Sequence, residues 1–173
     1  EFSQPLTTAN YTQGSNQTSS SSLNVATGES PNILLIVDDD LGWSDLKPYG
    51  GDIISPKLDA LANHSLLFTN FHVMPVCAPT RSVFLTGVDV HKNGMGTMDV
   101  LLTPNQKEKP GYETYLNDRV TTVAEILKDW GYHTYLSGKW HLGHNQPNWP
   151  YNRGFEESFA LLNGGGTMWN GSF

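Results

Sequence analysis

Residues 77–87 read Cys77-Ala78-Pro79-Thr80-Arg81-Ser82-Val83-Phe84-Leu85-Thr86-Gly87 and contain the only cysteine of the sequence. Pro79 suits the first turn of a helix, because the N–H that proline lacks has no partner there in any case. Arg81 follows Cys77 by four residues, so a helix that begins here places both side chains on one face. The N–H groups at the start of that helix, its dipole and the guanidinium all favour an anion beside Cys77. The stretch predicts a reactive sulfur group, or a group made from it, that faces a sulfate or phosphate; a buried, inert thiol is the alternative.

Upstream of this stretch, an apolar segment is followed directly by a run of acidic residues. The apolar segment covers residues 32–37, and its branched side chains predict a strand that is buried on both faces, as in a parallel sheet. Asp38, Asp39 and Asp40 follow, and we expect them at the carboxyl edge of the sheet, because unpaired carboxylates are costly in a core. Neighbouring carboxylates at such an edge suit Ca²⁺ or Mg²⁺, although a solvated acidic turn would have the same composition.

A helix and a strand are predicted between the acidic run and Cys77. Ser55-Pro56 is typical of a helix start, with the serine as N-cap and the proline in the first turn. Apolar residues at spacings of three and four predict the buried face of this helix: Leu58, Leu61, Ala62 and Leu66. Residues 67–73 roughly alternate between apolar and polar side chains and predict a strand that leads into the Cys77 turn.

Another helix is predicted over residues 120–131. Thr122 and Glu125 have the spacing of a capping box, although Thr121 could be the cap instead. Gly131 suits the position that follows the last helical turn. The predicted buried stripe consists of Val123, Ile126, Leu127 and Trp130.

A strand predicted at residues 132–137 leads directly into Gly-Lys-Trp-His-Leu-Gly at positions 138–143. A helix between two strands favours a parallel crossover. The predicted fold class is therefore α/β, with a mostly parallel sheet flanked by helices. Because sites in such sheets form beyond the carboxyl ends of the strands, we expect the aspartates, Lys139 and His141 to share one edge.

Three motifs together resemble the signatures of one enzyme family. They are Cys-x-Pro-x-Arg with Leu-Thr-Gly at 77–87, Asp-Asp-Leu-Gly at 39–42, and Gly-Tyr-x-Thr-x-x-x-Gly-Lys-x-x-x-Gly at 131–143. All three are similar to motifs of the type I sulfatases, in the alkaline phosphatase superfamily. The resemblance covers residues 31–173 and implies the N-terminal part of an alkaline-phosphatase-like catalytic domain. Residues 1–30 are rich in Ser, Thr and Asn, which predicts a flexible leader.

This resemblance implies a catalytic role for four residues. Cys77 would be oxidised to formylglycine by a separate formylglycine-generating enzyme, and the hydrated aldehyde would be the nucleophile. Arg81 and Lys139 would bind the sulfate of the substrate, and His141 would contact the formylglycine hydrate. The implied activity is the hydrolysis of sulfate monoesters of small molecules or glycans, as in arylsulfatases.

The resemblance also implies a divalent metal, Ca²⁺ or alternatively Mg²⁺, bound by Asp39, Asp40 and residue 77. Two carboxylates are an incomplete set, because Ca²⁺ takes six or more oxygen ligands. Members of the family supply further ligands from later in the chain. We therefore expect this chain by itself to bind metal weakly and to show little or no turnover.

Two other functions are compatible with the same residues. One is a phosphonate or phosphate ester hydrolase of the same superfamily. The other is a non-catalytic fragment that binds sulfated ligands through its cationic residues.

Composition narrows the range of partners and compartments. The formal net charge of −7 argues against nucleic acids and anionic membrane surfaces as partners. No apolar run approaches the roughly 20 residues that span a bilayer. Sequons for N-glycosylation begin at Asn10, Asn16, Asn63 and Asn170. They favour a secreted glycoprotein, and a periplasmic protein is the alternative.

Several residues near these motifs have no predicted chemical role. His72, His133 and His144 are expected to be structural, and His91 receives no assignment. Gly164-Gly165-Gly166 is expected to be a flexible loop rather than a phosphate loop, because no Lys-Ser/Thr pair follows it.

Overall fold

A computed structural model of the chain describes residues 30–166. By its internal contacts the chain separates into two units, Glu1–Val37 and Asp38–Phe173. Apart from Ser30, the predicted leader lies outside the described residues, as do the sequons at Asn10, Asn16 and Asn170. No helix in the described part combines the length and apolarity needed to cross a bilayer.

Short helices and two strands make up the regular structure of residues 38–166. The α-helices are α1 (Pro56–Ala62), α2 (Cys77–Thr86), α3 (Val90–Asn93) and α4 (Val123–Asp129), and the strands are β1 (Tyr135–Lys139) and β2 (Glu157–Leu161). Single 3-10 turns occur at Lys47–Tyr49, Asp99–Leu101, Gln146–Asn148 and Pro150–Arg153.

Helix α2 forms where the sequence predicts it. It begins at Cys77 and ends at Thr86. The next residue, Gly87, has a left-handed φ of 66°, and its N–H donates to the Val83 carbonyl at 2.7 Å. Ala78 and Ser82 are fully buried, so one side of α2 faces the core. Cys77 is the first residue of α2, as the sequence predicts.

The two strands pair in parallel, with Tyr135 opposite Glu157 and Lys139 opposite Leu161. The α/β class with parallel pairing is therefore confirmed. Strand β1 begins three residues later than predicted and continues to Lys139, and β2 was not predicted. The partner of β1 follows it in sequence. The segment that connects the two parallel strands therefore contains the 3-10 turns at 146–148 and 150–153, and α4 lies before β1.

The strands predicted at residues 32–37 and 67–73 are absent from the described structure. Their apolar side chains are exposed, for example Leu34 at 85% and Phe68 at 62%. A strand persists only where neighbouring strands pair its N–H and C=O groups and other elements cover its apolar side chains. In residues 30–166 neither segment has such a neighbour, so the predictions of buried strands are wrong for this structure.

Burial of the predicted helix faces is also different from the prediction. Leu58 and Leu61 of α1 are exposed, and Leu66 lies beyond the end of the helix. The Ser55 hydroxyl donates to the Asp59 side chain at 3.1 Å instead of capping a backbone N–H. Helical spacing identifies residues that share a face, but it does not tell whether another element covers that face.

Helix α4 is shorter than the predicted 120–131, has the predicted capping residues and buries a different side. Thr122 forms the full capping box with Glu125, and Gly131 follows with a φ of 84°. Trp130 and Ile126 of the predicted stripe are exposed, whereas Ala124 is buried. A small residue faces inward because α4 packs directly against α2.

The core lies between α2, α4 and the end of β1. Its buried apolar residues are Ala78, Met95, Leu116, Ala124, Trp140, Leu142 and Phe155. The rings of Trp140 and Phe155 meet edge to face with centroids 6.0 Å apart. Trp140 directly follows β1, so this packing fixes the carboxyl end of the strand.

Arg153 is buried beside this core and joins three segments. Its Nη1 donates to the carbonyls of Leu116 and Asn117 at 3.3 and 3.2 Å, and its Nη2 donates to that of Val120 at 2.7 Å. The Thr122 hydroxyl donates in return to the Arg153 carbonyl at 2.7 Å. The start of α4 is thereby attached to the loop that leads into β2.

Candidate active site

Asp39, Arg81 and Lys139 form one network of charged side chains. The Lys139 Nζ donates to Oδ2 of Asp39 at 2.8 Å, and the Arg81 Nη2 donates to Oδ1 at 3.4 Å. Arg81 also donates from Nη1 to the Lys139 carbonyl at 3.0 Å. The structure therefore brings together a residue of the acidic run, a residue of α2 and the last residue of β1.

The charged side chains of this network are buried to different extents. The side chains of Arg81 and Lys139 are each 11% exposed, whereas that of Asp39 is 40% exposed. Partial burial raises the pKa of Asp39, but the hydrogen bond and charge of Lys139, followed by those of Arg81, outweigh it. The pKa of Asp39 consequently lies below its usual value, and the carboxylate is ionised at neutral pH.

Cys77 lies against His141 and Met98. Its Sγ is 3.4 Å from Nδ1 of His141 and donates to Sδ of Met98 at 3.6 Å. Cys77 is half-buried, and only 7% of His141 is exposed. The first residue of α2 and the loop after β1 are thus in direct contact through these side chains.

The backbone of Gly164 lies close to the His141 ring. A Cβ atom on Gly164 would collide with Cε1 and Nε2 of the imidazole. His141 itself has a left-handed φ of 58°, and its N–H donates to the Leu162 carbonyl at 3.2 Å. These contacts orient the ring so that Nδ1 faces Cys77.

His141 is neutral at neutral pH. Burial lowers its pKa, the charge of Lys139 lowers it further, and the opposing effect of Asp99 does not restore it. A neutral imidazole next to position 77 can accept a proton from the group there.

Asp40 completes the pair of aspartates that was predicted to bind metal. Its φ is 58°, it is exposed, and it forms no hydrogen bond or ion pair with other residues in 30–166. The described residues contain no group of three His, Cys, Asp or Glu side chains placed to hold a metal ion. Asp39 and Asp40 fit Ca²⁺ or Mg²⁺ in the kind of donor they offer, but not in number.

Four of the five other histidines have contacts that involve neither the ion pairs of Asp39 nor Cys77. His72 contacts Asn70, His91 contacts Tyr112, and His133 contacts Glu156, all with exposed side chains. His144 is different, since its Nε2 lies 3.0 Å from Oδ2 of Asp99, the residue after Met98.

Two residues of the site were missed by sequence reasoning. Met98 has no motif around it, and its place beside Cys77 depends on the tertiary fold. Gly164 belongs to the glycine run that was expected to be a flexible loop, and it reaches His141 because β2 runs parallel to β1. The sequence signal for this contact is Gly164 itself, because a residue without a side chain lets the backbone approach another side chain closely.

All of the residues in this site lie within a segment that matches a known protein family. The family model described as Sulfatase matches residues 31–173, which include all of the motifs above. The chain belongs to the sulfatase family. A sulfatase was the expectation from the three motifs, and this expectation is confirmed.

Curated relatives include sulfatases from fungi, bacteria and mammals. An uncharacterized sulfatase of Schizosaccharomyces pombe (strain 972 / ATCC 24843) is 51% identical over 82% of this chain and 26% of its own length. An arylsulfatase of Klebsiella aerogenes is 44% identical over 82% of this chain and 30% of its own length. An N-acetylgalactosamine-6-sulfatase of Homo sapiens is 38% identical over 77% of this chain and 26% of its own length. This sulfatase chain therefore spans between a quarter and a third of these relatives.

Solved structures resemble the chain in three dimensions as well. A crystal structure of Ps i-CgsB matches with a TM-score of 0.70 and 32% identity, over 80% of this chain and 30% of the other. Ps i-CgsB in complex with k-i-k-neocarrahexaose matches with the same values. The expected alkaline-phosphatase-like α/β fold of this sulfatase chain is thus confirmed.

Proposed function

We propose that the protein hydrolyses sulfate monoesters, as an arylsulfatase-type sulfuric ester hydrolase. The observation that carries the proposal is a pair of nearly buried cations, Arg81 and Lys139, whose charges act on His141 next to Cys77. Arg81 and Cys77 lie one helical turn apart on α2, so an anion beside Cys77 is within reach of the guanidinium. The names of the bacterial and human relatives, an arylsulfatase and an N-acetylgalactosamine-6-sulfatase, support this class of substrate.

Arg81 and Lys139 bind the sulfate group in this proposal. Their side chains are removed from water, which strengthens their interaction with an anion. The Lys139 carbonyl and the Asp39 carboxylate hold the guanidinium, so its orientation is set before substrate arrives. The first N–H groups of α2 add positive potential on the side of Cys77.

Cys77 is the nucleophile position. We propose that a formylglycine-generating enzyme converts it to formylglycine, whose hydrated aldehyde would supply a hydroxyl for attack on sulfur. His141 accepts a proton at Nδ1 from the group at position 77, because the ring is neutral and its Nδ1 already faces that position.

Asp39 and Asp40, together with the group at residue 77, are the proposed ligands of Ca²⁺ or Mg²⁺. A divalent cation bound there would add positive charge next to a sulfate oxygen. The part of the chain that the structure describes supplies too few donors for a tight site. We therefore propose that residues 1–173 alone bind the cation weakly and turn over little.

The test is hydrolysis of 4-nitrophenyl sulfate by the protein in its full natural length, produced together with a formylglycine-generating enzyme. Lys139→Met and His141→Gln are expected to lower kcat/KM by at least about a hundredfold, the loss typical for a charge-stabilising or proton-transferring group. Lys128→Met and His133→Gln are matched controls at exposed positions and should retain activity. Faster hydrolysis of an aryl phosphonate than of the aryl sulfate would assign the protein to the phosphonate ester hydrolases instead. Absence of any hydrolysis, with tight binding of a sulfated glycan, would favour a binding module.

We also propose that the protein enters the secretory pathway. Asn63 directly follows α1 and is exposed, so a glycan on this sequon would meet no steric barrier among the described residues. A shift in mass after glycosidase treatment of the protein produced in a eukaryotic secretory host is the expected result, and an unglycosylated Asn63 would contradict it.

A further inference from the structure

A cavity of about 380 Å³ lies outside the network of Asp39, Arg81 and Lys139. Leu102 and residues of the segment 108–119 line it, and none of these residues takes part in the sulfate chemistry described above. The volume is in the range of small-ligand sites, which is roughly 300 to 1,000 Å³. We propose that this cavity binds an uncharged sugar ring that is linked to the sulfated ring of a glycan substrate. The inference rests on the proposed hydrolysis of sulfate esters and names the class of ester, a sulfated oligosaccharide.

One wall of the cavity packs against the loop that carries His141. Tyr115 lines the cavity, and a Cβ atom on Gly143 would lie 3.0 Å from the Tyr115 Cβ. The next residue, Leu116, donates its N–H to the Leu142 carbonyl at 3.2 Å. Tyr115 therefore contacts a residue that lies two positions after His141.

The opposite wall continues from a segment that also reaches the active site. Leu102 lines the cavity and follows Met98 by four residues, and Met98 contacts Cys77. Between them, the Oδ2 of Asp99 lies 3.0 Å from Nε2 of His144, which joins this segment to the loop after β1. Because both walls adjoin the active site, a glycan that holds one ring there can place a neighbouring ring in the cavity.

The lining offers polar groups of the kinds that a sugar ring needs. Within residues 30–166, three lining side chains form no hydrogen bond or ion pair with other residues: Glu108, Lys109 and Tyr115. The carboxylate accepts hydrogen bonds, the ammonium donates them and the phenol does both, as sugar hydroxyls do. The ring of Tyr115, which is 38% exposed, can also cover the C–H face of a sugar ring. A polyhydroxylated ring therefore satisfies all three groups at once.

The charges of the lining residues balance. Lys109 and Arg119 are positive, whereas Glu108 and Glu113 are negative. Arg119 and Glu113 already pair with each other at 2.8 Å. A ring with a carboxylate or a second sulfate would meet as many like charges as opposite charges, so the lining favours an uncharged ring.

The backbone that carries Tyr115 is fixed before any ligand binds. Thr114 donates its N–H to the Gly94 carbonyl at 2.9 Å. The Gly111 N–H donates to the Glu113 side chain at 2.7 Å. A wall that is already held in this way loses little conformational freedom when a sugar binds.

The kinetic test uses the protein in its full natural length, produced together with a formylglycine-generating enzyme. Its substrates are N-acetylgalactosamine 6-sulfate and the disaccharides in which uncharged galactose or glucuronate is linked to that sugar. The galactose disaccharide is expected to have a KM about tenfold below that of the monosaccharide, the gain typical of one stacked ring. The glucuronate disaccharide should gain less than half of that factor. Equal KM values for the monosaccharide and the galactose disaccharide would overturn the proposal.

Variants of the cavity locate the effect. Tyr115→Leu should remove most of the advantage of the galactose disaccharide, and Lys109→Met should reduce it about threefold, as for one lost hydrogen bond. Tyr151→Leu and Lys107→Met are the matched controls, since both residues are exposed and neither lines the cavity. Thermal unfolding checks that each variant folds, and Tyr115→Phe, which keeps the ring, should retain most of the advantage. An advantage that survives Tyr115→Leu would place the sugar elsewhere and refute the assignment.

A binding measurement separates this inference from the proposed function. In saturation-transfer NMR, the galactose protons of the unsulfated disaccharide should receive saturation from the protein, and Tyr115→Leu should abolish it. This readout requires no turnover, and the unsulfated sugar has no group for Arg81 and Lys139. Failure to hydrolyse 4-nitrophenyl sulfate would therefore refute the sulfatase activity alone, whereas absence of saturation transfer in the original protein would refute the sugar site alone.

Discussion

The Nζ atom of Lys139 lies 2.8 Å from Oδ2 of Asp39, across a separation of 100 residues in sequence. This contact joins the carboxyl end of β1 to the acidic run that opens the second unit of the chain. Arg81 reaches the other oxygen of the same carboxylate. One carboxylate thus balances two cations that are nearly removed from solvent.

Asp39→Asn is expected to destabilise the protein, because it leaves Arg81 and Lys139 without their anionic partner. Asp39 is 40% exposed, so the loss should be about 1 kcal/mol, near the upper end for solvent-accessible pairs. Urea unfolding at low salt measures it. Asp38→Asn removes the same charge one residue earlier at an exposed position and should change stability by less than half as much. Equal losses for the two variants would show that the ion pairs do not stabilise the fold.

Gly164→Ala is expected to displace the His141 ring. The new Cβ would overlap the imidazole at Cε1 and Nε2, so the ring or the loop must move. The ¹H–¹⁵N resonances of the His141 imidazole should shift, and in the full-length enzyme kcat should fall at least about tenfold while KM changes little.

Gly165→Ala is the control for that substitution. Among the described residues beyond its chain neighbours, a Cβ on Gly165 would meet no atom within 4 Å. The ring resonances and kcat should therefore stay unchanged. An active Gly164→Ala enzyme with unaltered imidazole resonances would contradict the role assigned to Gly164.

Local signals in the sequence predicted the ends of the helices that carry the site. Pro79 and Gly87 mark α2, and the capping box marks α4, because a cap depends on residues within one turn of each other. Cys77, Arg81, Asp39 and Lys139 could be nominated for the same reason, since each belongs to a short motif. The rule that sites lie beyond the ends of parallel strands predicted that the aspartates and Lys139 share one edge, although the strand expected before Asp39 is absent from the described residues.

Features that depend on distant partners could not be predicted. Strand β2 and the contact of Gly164 with His141 follow from the parallel pairing of β1 with a later segment. The apolar run at residues 32–37 has the composition of a buried strand, but pairing and burial require neighbours that no local pattern specifies. Met98 likewise reaches Cys77 only through the packing of the segment between α3 and α4.

Thr122→Ala is expected to cost about 2 kcal/mol of unfolding free energy. Its hydroxyl accepts the Glu125 N–H at 3.1 Å and donates to the Arg153 carbonyl at 2.7 Å, and the residue is fully buried. Loss of an N-cap costs about 1 kcal/mol, and loss of a buried hydrogen bond costs about as much again. Thr121→Ala, at an exposed neighbouring position, should change stability by less than about 0.5 kcal/mol. A larger loss of unfolding free energy for Thr121→Ala than for Thr122→Ala, measured by denaturant titration, would identify Thr121 as the effective cap.

Calcium is expected to bind weakly to residues 1–173. Among residues 30–166, Asp39 and Asp40 are the paired carboxylates at the site, and Asp39 is already engaged by Lys139 and Arg81. Isothermal titration should give a dissociation constant in the millimolar range or weaker, as for sites with few ligands. Micromolar binding that survives Asp40→Asn would show that other residues hold the ion.

Stability should depend on pH through Glu113. Its carboxylate accepts hydrogen bonds from the Gly111 N–H at 2.7 Å and from Arg119 at 2.8 Å. Burial raises the pKa of Glu113, but the hydrogen bond from Arg119 and those from the backbone outweigh it, so the pKa lies below 4.5. As pH falls, the unfolded chain therefore takes up this proton first. The stabilisation is complete above pH 4.5 and is lost as pH falls through the lower pKa of the folded state.

Glu113→Gln should accordingly cost about 1 kcal/mol at pH 7, the loss of a charge-assisted hydrogen bond at a mostly covered position. The difference between variant and original chain should shrink as the pH is lowered below 4.5, since protonation removes the same charge. Guanidinium unfolding at a series of pH values measures both quantities. Glu157→Gln, at an exposed position on β2, is the control and should show no such dependence. A Glu113→Gln difference that stays constant down to the lowest pH would mean that the carboxylate charge contributes nothing, because only the charge, and not the shape of the side chain, changes over that range.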